Sequence, residues 1–265
     1  METRRKALVT GGSRGIGQGI AFELAKAGYD VTIGHWNDDE AANETARKVR
    51  ENWGGDCWIV PGDLTKAETV VNTMEATLRK MGRIDLMVNN AGISRFRDIR
   101  ELPVEEVDML VSLNFRAPLM FMKEASNHMI EAGIRGSILN ITSSRAERAY
   151  AGDALYGGLK AGLKRASESA ALDLAPYGIR VNCIAPGAIE VRGRSITDEF
   201  GRRIPLGRKG LPEDIGPIAV WLASDAASYV TGINLRVDGG LILPGMPEYA
   251  WNPQNNKRTE KERAE

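Results

Sequence analysis

Apolar residues fall along the chain in short runs that alternate with longer stretches of helical period. Ala7-Leu-Val-Thr10 is a compact apolar run of the kind a buried strand makes. Ile16, Ile20, Leu24 and Ala27 follow at spacings of three and four, which puts them on one helical face. The alternation then repeats. Strand Val31–Ile33 precedes a helix over about 38–53, strand Asp56–Val60 a helix over about 66–81, and strand Ile84–Val88 a long helical region over about 103–132. Strand Ser137–Ile141 leads to a helix containing Tyr156 that ends near Ala175, where Pro176-Tyr-Gly178 stops it. Strand Ile179–Ile184, a helix over about 212–222 and strand Asn234–Val237 complete the pattern. Strands separated by helices predict an α/β domain over residues 1–243, a doubly wound parallel sheet with helices on both faces.

In such a sheet ligands gather at the carboxyl ends of the strands. Gly11, His35, Asp63 and Asn90 fall at those ends. The first strand breaks at Gly11-Gly-Ser-Arg-Gly-Ile-Gly17, a glycine-rich turn that opens a helix. Backbone N–H groups there can approach a pyrophosphate where the helix dipole favours anions. Gly11-x-Ser13-x-Gly15 also fits the nucleophile elbow of a serine hydrolase. That alternative needs an acid and then a histidine downstream, and beyond His35 the chain offers only His128, inside a helical pattern.

Tyr156 and Lys160 are four apart in a helical segment and share a face, with Ser143 thirteen residues before the tyrosine. An ammonium beside a phenol favours phenolate and lowers a pKa that is ordinarily about 10. That change makes a tyrosine usable as a proton donor and acceptor near neutrality.

Thr10-Gly-x-x-x-Gly-x-Gly17, Gly62-Asp63, Asn89-Asn-Ala-Gly92, Asn114, Ser143, Tyr156-x-x-x-Lys160 and Pro186-Gly187 occur in the order and spacing of the short-chain dehydrogenase/reductase family. The chain resembles that family over about residues 5–243, most closely its bacterial glucose 1-dehydrogenases and 3-oxoacyl-carrier-protein reductases. The resemblance implies a Rossmann fold and hydride transfer between a nicotinamide and a carbonyl or secondary alcohol. It implies a catalytic set of Asn114, Ser143, Tyr156 and Lys160, with Asn114 holding a water that links Lys160 to solvent. It further implies cofactor contacts from Thr10, Gly11, Ser13, Arg14, Gly15, Ile16 and Gly17 in the first turn, and from His35, Trp36 and Asn37 after the second strand. Asp63, Leu64, Asn90, Ala91, Gly92, Tyr156, Lys160, Pro186, Gly187 and Ile189 would complete the contacts. Two departures stand out: Val191 replaces a frequent threonine, and Leu159 a frequent serine before the lysine. Loss of catalysis, leaving a dinucleotide-binding regulator, would show as a missing Tyr156 or Lys160, and both are present.

The residue ending the second strand usually selects between nicotinamides, an acid there favouring NAD and a base favouring NADP. His35-Trp36-Asn37 supplies neither, whereas Arg14 in the glycine turn suits a phosphate. Asp38 and Asp39 oppose that charge or simply open the next helix. NADP is therefore the expected cofactor, with NAD the alternative.

The 35 basic and 35 acidic residues cancel, which gives no electrostatic reason to expect nucleic acid or an anionic membrane as partner. Two histidines and the distant pair Cys57 and Cys183 make neither a metal site nor a disulfide framework, so no metal is expected. Without a signal-like apolar region at the start, the expectation is a cytoplasmic enzyme. Family resemblance adds a homotetramer. Residues from about 190 to 209 read as a substrate lid rich in arginine and glycine. Arg95, Arg145, Arg148, Arg192 and Arg194 fall on loops expected to rim the pocket. With Ser143 and Tyr150, Arg145, Arg148 and Arg192 form the expected substrate contacts and point to an anionic or highly polar substrate. Surface arginines balanced by Asp98, Glu147 and Glu190 are the alternative. Residues 244–265 change character and end almost wholly charged, as a surface extension or frayed end does.

Overall fold

Short apolar strands that must bury both faces need helices on either side, and the chain arranges them in that way. The computed structural model describes residues 4–244. The strands are β1 (Lys6–Thr10), β2 (Asp30–His35), β3 (Cys57–Pro61), β4 (Leu86–Asn89), β5 (Ser137–Ile141), β6 (Arg180–Pro186) and β7 (Asn234–Val237). They form one sheet in the order β3-β2-β1-β4-β5-β6-β7, and every neighbouring pair is parallel. The chain runs outward from β1 to β3, then crosses back to β4 and continues to β7. The reversal between β1 and β4 leaves a crevice at the carboxyl ends, where successive connections depart to opposite faces.

The alternating pleat divides the core into two. Val9, Val31, Ile33, Leu139 and Ile184 pack beneath α1 (Gly15–Lys26), α2 (Asp39–Trp53) and α8 (Pro212–Ala223) through Ile20, Leu24, Val49, Ile215 and Leu222. Leu8, Met87, Ile138 and Val181 face the other way, onto Met74 of α3 (Ala67–Met81), Phe121 and Met129 of α5 (Ala117–Glu131) and Leu163 of α6 (Ala154–Leu174). All of these side chains are essentially excluded from water.

The expected helical region over 103–132 runs unbroken from Val104 to Glu131, but its hydrogen bonding changes midway. It comprises α4 (Val104–Val111), a π-helical turn at Ser112–Arg116, and α5. Pro118 explains the change: it has no N–H to give Asn114, and its ring would press on the Asn114 carbonyl four residues back. The wider turn relieves that clash, and the Ala117 N–H instead reaches Ser112 O, five residues back. The expected lid also contains structure of its own, the short helix α7 (Glu199–Arg202). At its base Lys209 Nζ bridges Asp198, at 2.5 Å, and Glu190, at 3.4 Å. Among the described residues no helix is long and apolar enough to cross a membrane. The extension expected over 244–265 lies, beyond Pro244, outside the described residues.

Candidate active site

The crevice is a cleft of about 780 Å³, within the usual range for a ligand site. Gly11 turns the chain out of β1 with φ +64°, a left-handed conformation that costs a glycine little. Asn90 then ties this turn to the loop after β4, donating from Nδ2 to Thr10 O (2.9 Å) and Gly11 O (3.0 Å). Thr10 returns the link, its hydroxyl oxygen accepting from the N–H groups of Asn90 and Ala91 at 3.0 Å each. Gly17 lies behind the turn, where a Cβ would meet Gly11 O at 2.1 Å. The result is a glycine-lined turn at the start of α1, where backbone can approach a ligand closely. Thr10, Gly11, Ser13, Arg14, Gly15, Ile16, His35, Trp36, Asp63, Leu64, Asn90, Ala91, Gly92, Gly187 and Ile189 line the cleft, as do Tyr156 and Lys160.

Asp153 caps α6, its Oδ1 accepting from Gly157 N at 3.1 Å, and this sets Tyr156 in the first turn. Lys160, one turn on, is buried and donates from Nζ to Ile141 O at 2.8 Å, with Nζ 5.9 Å from the Tyr156 ring centroid. Burial pulls the Lys160 pKa down to about 8. The Tyr156 phenol is raised, chiefly by burial. The neighbouring Ser143 hydroxyl and the Arg145 charge oppose the rise, and Asp153 adds to it. The expected depression of Tyr156 by Lys160 is therefore absent in the protein alone, because the ammonium is directed at a backbone carbonyl and desolvation dominates. Asn114 is fully buried in the π turn. Its two side-chain hydrogen bonds both go to Ile93, Oδ1 accepting from N at 3.2 Å and Nδ2 donating to O at 3.0 Å. A Cβ on Gly92 would meet Asn114 Oδ1 at 2.4 Å and Lys160 Nζ at 3.6 Å, so these three residues are packed together.

The lysine makes stability pH-dependent. Between about 8 and 10.5 the unfolded chain holds a proton on Lys160 that the folded protein has lost, so stability rises with pH across that window. Below it, the cost of burying the ammonium is fully present, up to about 3 kcal/mol. Lys160→Met is expected to unfold at higher denaturant near pH 7 and to lose the rise between pH 8 and 10. Parallel pH profiles of chemical unfolding for the two proteins are the check.

A model of the family described as enoyl-(acyl carrier protein) reductase matches residues 11–242. Glucose 1-dehydrogenase 2 of Bacillus subtilis is 35% identical over 248 residues, spanning 91% of this chain and 96% of that one. The chain belongs to the short-chain dehydrogenase/reductase family. This is a family of nucleotide-binding oxidoreductases with a Rossmann fold. The 3-oxoacyl-[acyl-carrier-protein] reductase of Chlamydia pneumoniae is 36% identical over 242 residues, 89% of this chain and 96% of its own. A solved structure, a blue fluorescent protein from a metagenomic library in complex with NADPH, superposes with a TM-score of 0.83 at 30% identity. That alignment covers 90% of this chain and 98% of the other.

Within this short-chain dehydrogenase/reductase, several expected contacts have other positions. Asn37 does not line the cleft; with φ +51° it turns β2 into α2, a left-handed role asparagine tolerates. Gly17 acts by its missing side chain from behind the glycine turn, and Pro186 ends β6, paired with Val237. Ser143 does not line the cleft; its hydroxyl accepts from the Arg145 N–H at 3.2 Å and lies beside the Tyr156 phenol.

The arginine reading needs the larger correction. Arg145, Arg148 and Tyr150 line a neighbouring cavity of about 620 Å³, and Arg192 lines neither space. Arg95 lies 3.8 Å from Glu106, Arg145 pairs with Asp153 at 3.0 Å, and Arg148 donates to the carbonyls of Ile242 and Pro244. Asp98 pairs with Arg100, Glu147 with Arg236, and Glu190 with Lys209, so the balancing acids have partners other than those expected. The hydrolase alternative fails on geometry. The Ser13 hydroxyl donates to Asp38 at 2.7 Å, while His128 accepts from Ile84 N at the opposite end of the sheet. Among the described residues no group of three or more His, Cys, Asp or Glu side chains could hold a metal ion.

The sequence reading missed Asp153, whose N-cap signal, an aspartate directly before a helical run, was available in the chain. It also missed Ile93, Met109 and Leu113 in the cleft wall and Phe96 beside Tyr156, contacts that no short-range pattern encodes.

Proposed function

We propose that the protein interconverts a carbonyl compound and its secondary alcohol, using a nicotinamide dinucleotide, with Tyr156 as the acid and base. One observation carries the reading: Tyr156 and Lys160 line the cleft that begins at the glycine cradle, with the Ser143 hydroxyl beside the phenol and favouring its ionised form. Residues 11–17 would hold the pyrophosphate at the start of α1, with Asp63, Asn90, Gly92, Gly187 and Ile189 along the cleft. Bound there, the nicotinamide supplies or accepts the hydride. Ser143 donates a hydrogen bond to the substrate oxygen as charge develops on it. Tyr156 gives that oxygen its proton in reduction and removes it in oxidation. Lys160 stabilises the phenolate left behind, and Asn114, anchored on Ile93, maintains the packing around the ammonium.

We favour NADP over NAD. Arg14 stands exposed at the mouth of the cleft and no acid ends β2, while a structural relative is in complex with NADPH. Asp38 restrains this preference, since it accepts from Ser13 and lies 3.5 Å from Arg14 Nε. Arg14→Ala should weaken NADPH about tenfold and leave NADH within twofold, the loss of one charge-assisted phosphate contact. Asp38→Asn should strengthen NADPH several-fold. Titrating nucleotide fluorescence against each protein is the check, and a tighter NADH in the wild type reverses the assignment.

Ile93, Met109, Leu113 and Val191 give the cleft an apolar wall, which favours uncharged carbonyl substrates. A sugar lactone/aldose pair and a 3-oxoacyl thioester both meet that requirement. A panel of alcohols and ketones followed at the nicotinamide absorbance, with both cofactors, tests the activity and ranks the substrates. We propose a homotetramer, supported by the exposed Val104 and Leu172 on α4 and α6, Trp221 on α8 and Tyr229 on the segment before β7. Light scattering giving the mass of a single chain would refute it.

A further inference from the structure

Arg145 lies outside the cleft yet touches each of the three segments that deliver the acid/base group. Its guanidinium Nη1 is 3.0 Å from Asp153 Oδ2, and the other oxygen of that buried carboxylate caps the helix carrying Tyr156. The guanidinium carbon lies over two rings, 4.3 Å from the centroid of Phe96 and 4.4 Å from that of Tyr150. Phe96, on the loop after β4, meets the Tyr156 ring edge-on, with centroids 5.9 Å apart and planes at 87°. The Arg145 backbone N–H donates to Ser143 Oγ at 3.2 Å. A Cβ on Gly157 would come within 3.2 Å of Arg145 O and 2.8 Å of Asp153 Oδ2, so only glycine lets the segments close this tightly.

We propose that Arg145 is a positioning residue for Tyr156: held by Asp153 and lying over Phe96 and Tyr150, it fixes the phenol's ring and keeps a positive charge beside it. The proposal rests on the acid/base reading above and extends it to a residue that does not line the cleft. A planar guanidinium is suited to the task, because it can lie over two aromatic rings while its charge stays beside the Asp153 carboxylate, which a compact ammonium cannot do. The charges around the phenol have defined signs. From its own helix come Lys160 and the capping Asp153, and from the segment after β5, Arg145; Lys160 in turn faces the Cys183 thiol of β6, held neutral by burial with its pKa at about 11. Arg95 and Arg97, on the Phe96 loop, are both directed at Glu106 of α4. Arg145 pulls the phenol down and Asp153 pushes it up.

The two members of the pair should therefore shift the phenol in opposite directions, which a general loss of structure would not do. The phenol is read by the alkaline absorbance difference between each protein and its Tyr156→Phe counterpart, and independently by the pH profile of kcat in alcohol oxidation. Arg145→Met is expected to raise the midpoint by about half a pH unit and to cut kcat about tenfold near neutrality. Dinucleotide affinity should stay within twofold. Arg145→Lys should fall between, and Asp153→Asn, which keeps an oxygen for the helix cap, should lower the midpoint. If Arg145→Met does not fold, Arg145→Lys and Asp153→Asn carry the same opposed prediction. An unchanged midpoint in all of them, or shifts of the same sign for arginine and aspartate, overturns the proposal and leaves the oxidoreductase reading standing. Full turnover by Tyr156→Phe would instead remove that reading itself.

Discussion

Tyr156→Phe is expected to lose about a thousandfold or more in kcat while binding dinucleotide as the wild type does, the upper part of the range for a general acid/base group. The substitution removes one oxygen and keeps the ring, so the edge-on contact with Phe96 and the position of α6 should survive. No neighbour can take over the proton. Ser143 is a hydroxyl of much higher pKa, and the Lys160 ammonium lies 5.9 Å from the ring centre, bonded to Ile141 O. Because the hydroxyl acts on the developing alkoxide, kcat and kcat/KM should fall together. Steady-state rates on the best substrate of the panel, beside a fluorescence titration of the nucleotide, provide the measurement. A variant keeping a tenth of wild-type turnover would show that the proton comes from elsewhere.

The elements that position this site are legible in the chain because each is a local signal. Apolar runs of four or five residues mark the strands, helical spacing marks α1, and glycines mark the turn where only backbone fits. Tyr156 and Lys160 read as neighbours because helical geometry alone makes them so. What the pattern hides is long-range or conditional. The π turn at Asn114 comes from Pro118 acting on a carbonyl four residues earlier, a distortion that a hydrophobic period passes through unmarked. The fate of the arginines depends on partners distant in the chain: Arg148 reaches carbonyls about ninety-five residues on, and Glu147 pairs with Arg236. Counting charges on loops made a pocket rim of side chains that the folded protein uses to join its own segments. Even the sign of the Tyr156 shift turned on burial, which spacing cannot supply.

Gly17→Ala separates local preference from tertiary fit in the most direct way. Helix propensity alone makes it favourable by about 1 kcal/mol, since glycine is a poor residue in a helix interior. The surroundings reverse the sign. The new methyl would lie 2.1 Å from Gly11 O and 2.4 Å from Asn90 Nδ2, the two groups that join the glycine turn to the loop after β4. Gly11 O is backbone and Asn90 Nδ2 is held by two hydrogen bonds, so α1 must withdraw or the Asn90 bridge must open, and overpacking of this kind costs about 1–3 kcal/mol or more. Either movement deforms the cradle, so dinucleotide affinity should fall about a hundredfold and the melting temperature should drop. Gly158→Ala supplies the contrast, because at that helical position nothing lies within 4 Å of the added carbon. It should leave nucleotide binding intact and hold or raise the melting temperature. If Gly17→Ala behaved like Gly158→Ala in both measurements, the glycine turn would not be the seat of the dinucleotide, and the assignment of the cleft would fall with it.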